Sequence, residues 1–294
     1  MESLIREFVS YLHKMKKTSR NTELSYQRDL KKMQGFLEQQ GIQKAEEVTY
    51  THLNSYLLYL EQENFASSTI SRSVASIRAF FQYLFKEGYL RQDPSEQLKP
   101  PKVEKKAPEI LSVEEVDKLL KQPDLETAKG IRDKAMLELL YATGIRVSEL
   151  IHLNLSDVNL QMGYVICRES TRDRIIPFGS VCQKALGRYL EKSRECLLKG
   201  CREESLFTNC SGKAMSRQGF WKVLKGYADS AGIKGDITPH TLRHSFAVHM
   251  LQNGADIKSV QEMLGHSDVS TTQIYLNMNV NKIRDVYMKA HPRK

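Results

Sequence analysis

The sequence predicts a mainly α protein in two domains, the second carrying a small β-sheet. Three observations lead there. Apolar residues recur at helical spacing through most of the first 98 positions. A run rich in proline and lysine, Lys99-Pro100-Pro101-Lys102-Val103-Glu104-Lys105-Lys106-Ala107-Pro108, then interrupts them and admits no regular element. Beyond it, only the stretch from about 162 to 178 reads as β structure. The expected boundaries are a helical domain at 1–98, a linker at 99–109 and a second domain at 110–294.

In the first helix Leu4, Ile5, Phe8, Val9, Tyr11 and Leu12 form the stripe. The second begins at Ser19 or Asn21, both good caps, and runs through Leu24, Tyr26, Leu30, Met33 and Phe36-Leu37. A third covers roughly Thr51 to Gln62. A fourth starts at the hydroxyls of Ser67-Ser68-Thr69, continues through Ile70, Val74, Ile77, Phe80-Phe81 and Leu84-Phe85, and stops at Gly88. Such stripes pack together as a bundle. Their polar faces are basic: Lys14, Lys16, Lys17, Arg20, Arg28, Lys31 and Lys32 crowd the first two helices, and Ser71, Arg72, Ser73, Ser76 and Arg78 lie on the fourth. These faces suit phosphate contacts as well as a plain solvated surface. Lys14, Lys16, Lys17, Arg20, Arg28, Arg72 and Arg78 are the candidate DNA contacts.

The second domain opens on Ser112-Val113-Glu114-Glu115, close to a capping box. Helices are expected at 112–121, 130–142, 180–199, 216–231, 240–252 and 257–264. Between them, Tyr164-Val165-Ile166-Cys167 and Arg174-Ile175-Ile176-Pro177-Phe178 read as two strands around a polar turn. Residues 279–290 are expected to form a short amphipathic tail helix with Ile283, Val286 and Tyr287 on one side and Met288 at its margin.

Bulk properties narrow the class. Lys and Arg number 44 against 35 Asp and Glu, a formal charge of +9 that favours a polyanionic partner. With 40% apolar and 27% charged residues the chain is of ordinary globular composition. No stretch approaches the roughly 18 apolar residues of a membrane span. The opening Met1-Glu2-Ser3-Leu4 has no basic region followed by an apolar run, so no secretory leader is expected. Cys167, Cys182, Cys196, Cys201 and Cys210 include no CxxC pair. Neither a disulfide framework nor a metal site is indicated, and reduced thiols in the cytoplasm are the expectation.

Four separated segments carry chemistry: Thr143-Gly144-Ile145-Arg146-Val147-Ser148-Glu149-Leu150, His240-Thr241-Leu242-Arg243-His244, Leu264-Gly265-His266, and Thr271-Thr272-Gln273-Ile274-Tyr275. Each has a structural explanation by itself. Arg146 can pair with Glu149, His240 can start a helix, and Tyr275 can sit half-buried. Together, two arginines, two histidines and a tyrosine suit phosphodiester chemistry. Guanidinium forks bind phosphate oxygens and offset charge developing on phosphorus. Histidine moves protons near neutral pH, and tyrosine can hold a covalent intermediate.

The order R…HxxRH…GH…TTxIY resembles the tyrosine recombinase, or phage integrase, family, in particular its Xer-type members. The runs ATGIRVSELIHLNLSDV and ITPHTLRHSFAVHMLQNGADIKSVQEMLGHSDVSTTQIY carry the likeness. It implies a core-binding, SAM-like helical domain followed by an α-rich catalytic domain. It implies Tyr275 as nucleophile on the scissile phosphate, Arg146 and Arg243 as its clamp, His240 as general base and His266 as a phosphate hydrogen-bond donor. Glu149 would support Arg146. Neither metal nor other cofactor is implied, since the arginines supply the charge. The expected partner is double-stranded DNA bearing a pseudo-palindromic site, held by a tetramer in which the tail helix docks on a neighbouring protomer. Packing of the tail on its own domain is the alternative.

The chain departs from the family in one place. The family carries a proton-donating lysine in the β-turn, but no lysine occurs from Ile151 to Ser180. The turn reads Arg168-Glu169-Ser170-Thr171-Arg172-Asp173-Arg174, and Arg172 or Ser170 falls near the lysine's place. Arg172 is the candidate replacement, although a guanidinium is a poor proton donor. The role is thus site-specific strand exchange, in chromosome-dimer resolution or in mobile-element integration and excision. The alternatives are a type IB topoisomerase and a DNA-binding module with impaired catalysis.

Overall fold

The structure, a computed structural model, describes residues 1–16, 18–101, 109–168, 173–265 and 286–293. The chain divides into two units, Met1–Lys106 and Ala107–Lys294, each with its own hydrophobic core.

The first unit consists of α1 (Glu2–Lys14), α2 (Arg20–Gln39), α3 (Tyr50–Gln62) and α4 (Ser67–Lys86). Ser19 caps α2, its Oγ accepting the Thr22 N–H at 3.2 Å. Ile5, Phe8 and Leu12 of α1 are buried at helical spacing. They meet Ile77, Phe80, Phe81 and Leu84 of α4 in one cluster, where Phe8 and Phe80 pack edge to face with centroids 5.5 Å apart.

The polar face of α4 differs from the expectation. Ser73 and Ser76 are buried against the core, and the Ser76 hydroxyl donates to the Ser73 carbonyl at 2.9 Å. A hydroxyl that bonds its own helix can be buried at little cost, which composition alone does not reveal. Those two serines therefore belong to the packed face. Arg72 is exposed but engaged, forking onto the Asp29 carboxylate of α2 at 2.8 and 2.9 Å. Lys14, Lys16, Arg20, Arg28 and Arg78 are exposed, while Lys17 lies outside the described residues.

The second unit is built around α6 (Ala128–Thr143), which is buried from Gly130 to Thr143 except at Lys134. It packs against α5 (Val113–Leu120), α7 (Val147–His152), α8 (Ser180–Lys192), α9 (Arg194–Leu198) and α11 (Pro239–Gln252). α10 (Arg217–Ser230) and α12 (Ile257–Leu264) complete the helices named in this unit. The stretch expected as one helix over 180–199 breaks at Ser193, and Lys199 takes a left-handed φ of 50°. The β section gains a strand that periodicity cannot show at two residues: β1 (Val158–Asn159) pairs antiparallel with β2 (Tyr164–Cys167), and β2 with β3 (Arg174–Pro177). Val165 opposes Ile176 and Cys167 opposes Arg174. Val165, Cys167 and Ile176 are buried on the core. No helix among the described residues is long and apolar enough to cross a membrane.

The described tail, residues 286–293, packs on its own unit. Tyr287 is fully buried, its hydroxyl accepts the Gly179 N–H at 3.0 Å, and its ring stacks on His291 at 4.7 Å. Arg293 bonds the buried Glu138 carboxylate of α6 and also reaches Asp117. Met288 is 44% exposed, so it does not share the buried side with Tyr287. Ile283 lies outside the described residues.

Candidate active site

α6 ends where Gly144 adopts a left-handed φ of +61°, a C-cap that glycine fills without strain. A Cβ there would come within 2.3 Å of the Phe246 ring, so the turn is also packed too tightly for a side chain. The chain then buries Ile145 and presents Arg146 as the N-cap residue of α7. Glu149, one turn on, reaches back. Its Oε2 accepts the Arg146 backbone N–H at 2.6 Å and its Oε1 accepts the Arg146 guanidinium at 2.9 Å.

α11 begins with Thr238 as cap and Pro239 in the first turn, which places His240 in that turn and Arg243 one turn later. His240 is exposed, whereas Arg243 is 7% exposed and lies in the interior. Burial first, then the nearby positive charges of His244, Arg243, Arg217 and Arg146, push His240 below its usual imidazole range. It is therefore neutral at pH 7 and able to accept a proton. Burial, followed by the Arg146 charge, brings Arg243 down to about 10, which leaves it cationic at neutral pH.

These groups meet at the end of α12. Gly265 closes that helix with a φ of +64°. Helix C-terminal carbonyls lack helical partners, and here three successive ones are taken by arginines. Arg174 Nη1 donates to Met263 O at 2.5 Å, Arg243 Nη2 to Leu264 O at 2.5 Å, and Arg146 Nη2 to Gly265 O at 2.8 Å. Arg243 Nη1 also donates to Gly144 O at 2.6 Å, joining the two glycine turns. Arg174 Nη2 contacts Glu149 Oε1 at 2.5 Å. Burial alone would raise the Glu149 carboxyl, but the charges of Arg174 and Arg146 and the Arg146 hydrogen bonds hold it below the usual range. Glu149 is thus ionised and shared by two guanidiniums.

Arg146, Glu149, His240 and Arg243 come from segments up to 97 positions apart and gather around the C-terminus of α12. His266 follows Gly265 directly in sequence. It lies outside the described residues, as do Tyr275 and the turn residue Arg172. Among the described residues no group of three or more His, Cys, Asp or Glu could hold a metal ion. Sequence reasoning missed Arg174. Placed in the strand after the turn, it reads as an ordinary strand-edge cation, and only the β2–β3 register and the approach of β3 to α12 bring it into the cluster.

Comparison with known proteins shows the family. Residues 109–282 match the model of the phage integrase family, and residues 5–88 that of its N-terminal SAM-like domain. The chain is 44% identical to tyrosine recombinase XerD of Staphylococcus epidermidis over 294 residues, with both chains covered completely. It is 45% identical to tyrosine recombinase XerD of Oceanobacillus iheyensis, covering all of this chain and 99% of that one. A crystal structure of a λ integrase dimer bound to a COC′ core site shares the fold, with a TM-score of 0.71 at 17% identity, covering 100% of this chain and 97% of that one. The chain belongs to the phage integrase family, as a tyrosine recombinase of the Xer type.

Proposed function

We propose that this chain cleaves and rejoins duplex DNA at specific sites through a 3′-phosphotyrosyl link at Tyr275. The observation that carries the reading is the convergence of Arg146 and Arg243 on the carbonyls of Leu264 and Gly265, the two residues that precede His266. In this reading Arg146 and Arg243 hold the scissile phosphate and offset the charge that develops as phosphorus becomes pentacoordinate. The Tyr275 hydroxyl loses its proton to His240, the new bond forms between the tyrosine oxygen and phosphorus, and the bond to the 5′-oxygen breaks, that oxygen taking a proton from solvent to leave as the 5′-hydroxyl. His266 hydrogen-bonds the phosphate, and Glu149 supports Arg146. Arg172 occupies the place where the family carries a lysine. Rejoining reverses the exchange, with the 5′-hydroxyl attacking the phosphotyrosine, so no external energy source is needed.

The matches to the two family models support residues 1–98 as a DNA-binding domain, 99–109 as a linker and 110–294 as the catalytic domain. Lys14, Lys16, Lys17, Arg20, Arg28, Arg72 and Arg78 are the proposed contacts to the DNA backbone. The working form is a tetramer on a pseudo-palindromic site, acting in the cytoplasm in chromosome-dimer resolution or mobile-element movement. A second reading, a binding module slow in catalysis, rests on the absence of any lysine from Ile151 to Ser180.

A trapping assay separates these readings. The protein is mixed with a nicked half-site duplex, selected by binding from a random pool, and products are resolved under denaturing conditions. A covalent adduct that disappears in Tyr275→Phe supports the recombinase reading. Tight binding without adduct supports the module, and Arg172→Lys then restores cleavage if the turn is the cause.

A further inference from the structure

Arg174 stands outside the set of residues to which the reaction assigns a role, yet it is bound into the same cluster. Its side chain is only 10% exposed, and it bridges two elements distant in sequence: Glu149 of α7 and the Met263 carbonyl of α12, both at 2.5 Å. Gly265 is shaped around it. A Cβ at that position would lie 2.5 Å from Arg174 Cζ and 2.8 Å from its Nη1. The guanidinium thus occupies the space over the turn from which the chain runs on to His266.

A scaffold has little reason to place a cation here. Burying a charge is costly even when it is paired, and an apolar side chain on β3 would cover the same surface more cheaply. The local charge makes this sharper. Arg146, Arg174 and Arg243 converge; Arg146 and Arg174 both oppose the charge of Arg243, while Glu149 and, to a smaller extent, Cys167 favour it. An arrangement with more guanidiniums than carboxylates is suited to an anion, and a planar fork is suited to holding two acceptors at fixed spacing.

We propose that Arg174 is a positioning residue for strand cleavage: through Glu149 it sets the orientation of Arg146, and through Met263 it sets the end of α12 from which His266 follows. The inference rests on the recombinase reading and adds to it a residue that acts without touching the phosphate. Loss of the fork leaves Glu149 free to turn and the α12 terminus free to shift, so the phosphate clamp loses its alignment while the DNA-binding surface is unchanged.

The test is single-turnover adduct formation on the nicked half-site duplex described above, with the half-site Kd and the thermal midpoint measured in parallel. Arg174→Gln should keep the Kd within about twofold of wild type and slow adduct formation at saturating DNA by about 10–100-fold, the loss expected for one charge-assisted alignment. Arg174→Lys should recover only part of the rate, since one ammonium cannot span both acceptors. Combined with Glu149→Gln, Arg174→Gln should cost less than the two single losses together, because the two variants share the Arg174–Glu149 contact. A wild-type rate in Arg174→Lys, or additive losses in the double variant, overturns the inference. So does a rate loss in Arg174→Gln that merely tracks the fraction unfolded. Should Arg174→Gln fail to fold, the Arg174→Lys rate decides. No adduct in the wild type removes the recombinase reading itself, and this inference with it.

Discussion

Glu149 holds Arg146 at two points at once, taking its backbone N–H on one carboxylate oxygen and its guanidinium on the other, at 2.6 and 2.9 Å. One side chain therefore caps α7 and orients a cation beside the end of α12. The local geometry of a helix start and the aim of a candidate catalytic group are the same contact, which makes the turn before it a sensitive place.

Gly144 sets that turn. Gly144→Ala puts a side chain on a left-handed residue and pushes a Cβ to within 2.3 Å of Phe246. The backbone term alone costs about 1–2 kcal/mol. Urea unfolding should show at least that loss, and adduct formation should fall further than the folded fraction does, because Arg146 follows two residues later. Unchanged stability together with an unchanged rate would remove Gly144 from this role.

The basic surface of the first unit divides into two kinds of residue. Arg20→Ala, at an exposed position, should weaken half-site binding and reduce the slope of log K against log salt by about 0.9 if it neutralises one phosphate. Arg72→Ala should change the slope less. It strips the mostly buried Asp29 carboxylate of its fork and should lower the stability of the first unit by about 1–3 kcal/mol. Salt titrations and melts of the two variants separate these outcomes, and equal slopes would refute the distinction.

Proton uptake by His240 should appear in the rate. Since burial and neighbouring cations lower its basicity, it stays neutral through pH 7, and single-turnover cleavage should fall only below the ordinary histidine value of 6.5. His240→Gln should slow cleavage and flatten that acid limb. If the limb persists unchanged in the variant, His240 is not the base.

His291 should govern part of the acid stability. It is 2% exposed, donates from Nε2 to the Tyr141 carbonyl at 3.2 Å, and is driven by burial from 6.5 to about 4. With the folded value lowered, the unfolded chain binds the proton first. Stability is unaffected above pH 6.5, declines as pH falls from there to 4, and is then constant, with a total loss of about 3 kcal/mol. His291→Asn should shrink the difference in urea midpoint between pH 7 and pH 4.5. An unaltered difference would assign it to other groups.

The tail carries a prediction of its own. Arg293→Met removes a partner of the buried Glu138, which among the described residues keeps only Lys134 at 2.8 Å as an ion-pair partner, and should lower the melting midpoint of the second unit by an amount equivalent to about 1–3 kcal/mol. Truncation after Val280 should cost more, since it also empties the site filled by Tyr287. A tail that serves only a neighbouring protomer would leave both midpoints unchanged.

Much of this was legible in advance because it is local. The caps at Ser19 and Ser112, the helix stops at Gly144 and Gly265, and the stripe Ile5, Phe8, Leu12 each depend on residues within a turn or two. Ser76 reads as a surface residue because a hydroxyl that satisfies itself within its helix has the composition of a surface residue and the burial of a core one, and Ser73 is buried beside it.

By itself the sequence determined the helical order, the two-part division, the basic character and the set of residue types able to handle a phosphodiester, along with the family likeness that their order carries. Tertiary structure alone decided that Arg174 joins that set, that Arg72 is engaged by Asp29, and that residues 286–293 pack on their own unit. The physical reason is range. Caps and stripes arise from interactions over three or four residues, whereas the pairing of Arg174 with Glu149 spans 25 positions and that of Arg146 with Gly265 spans 119, and such contacts exist only once β3, α7 and α12 have packed.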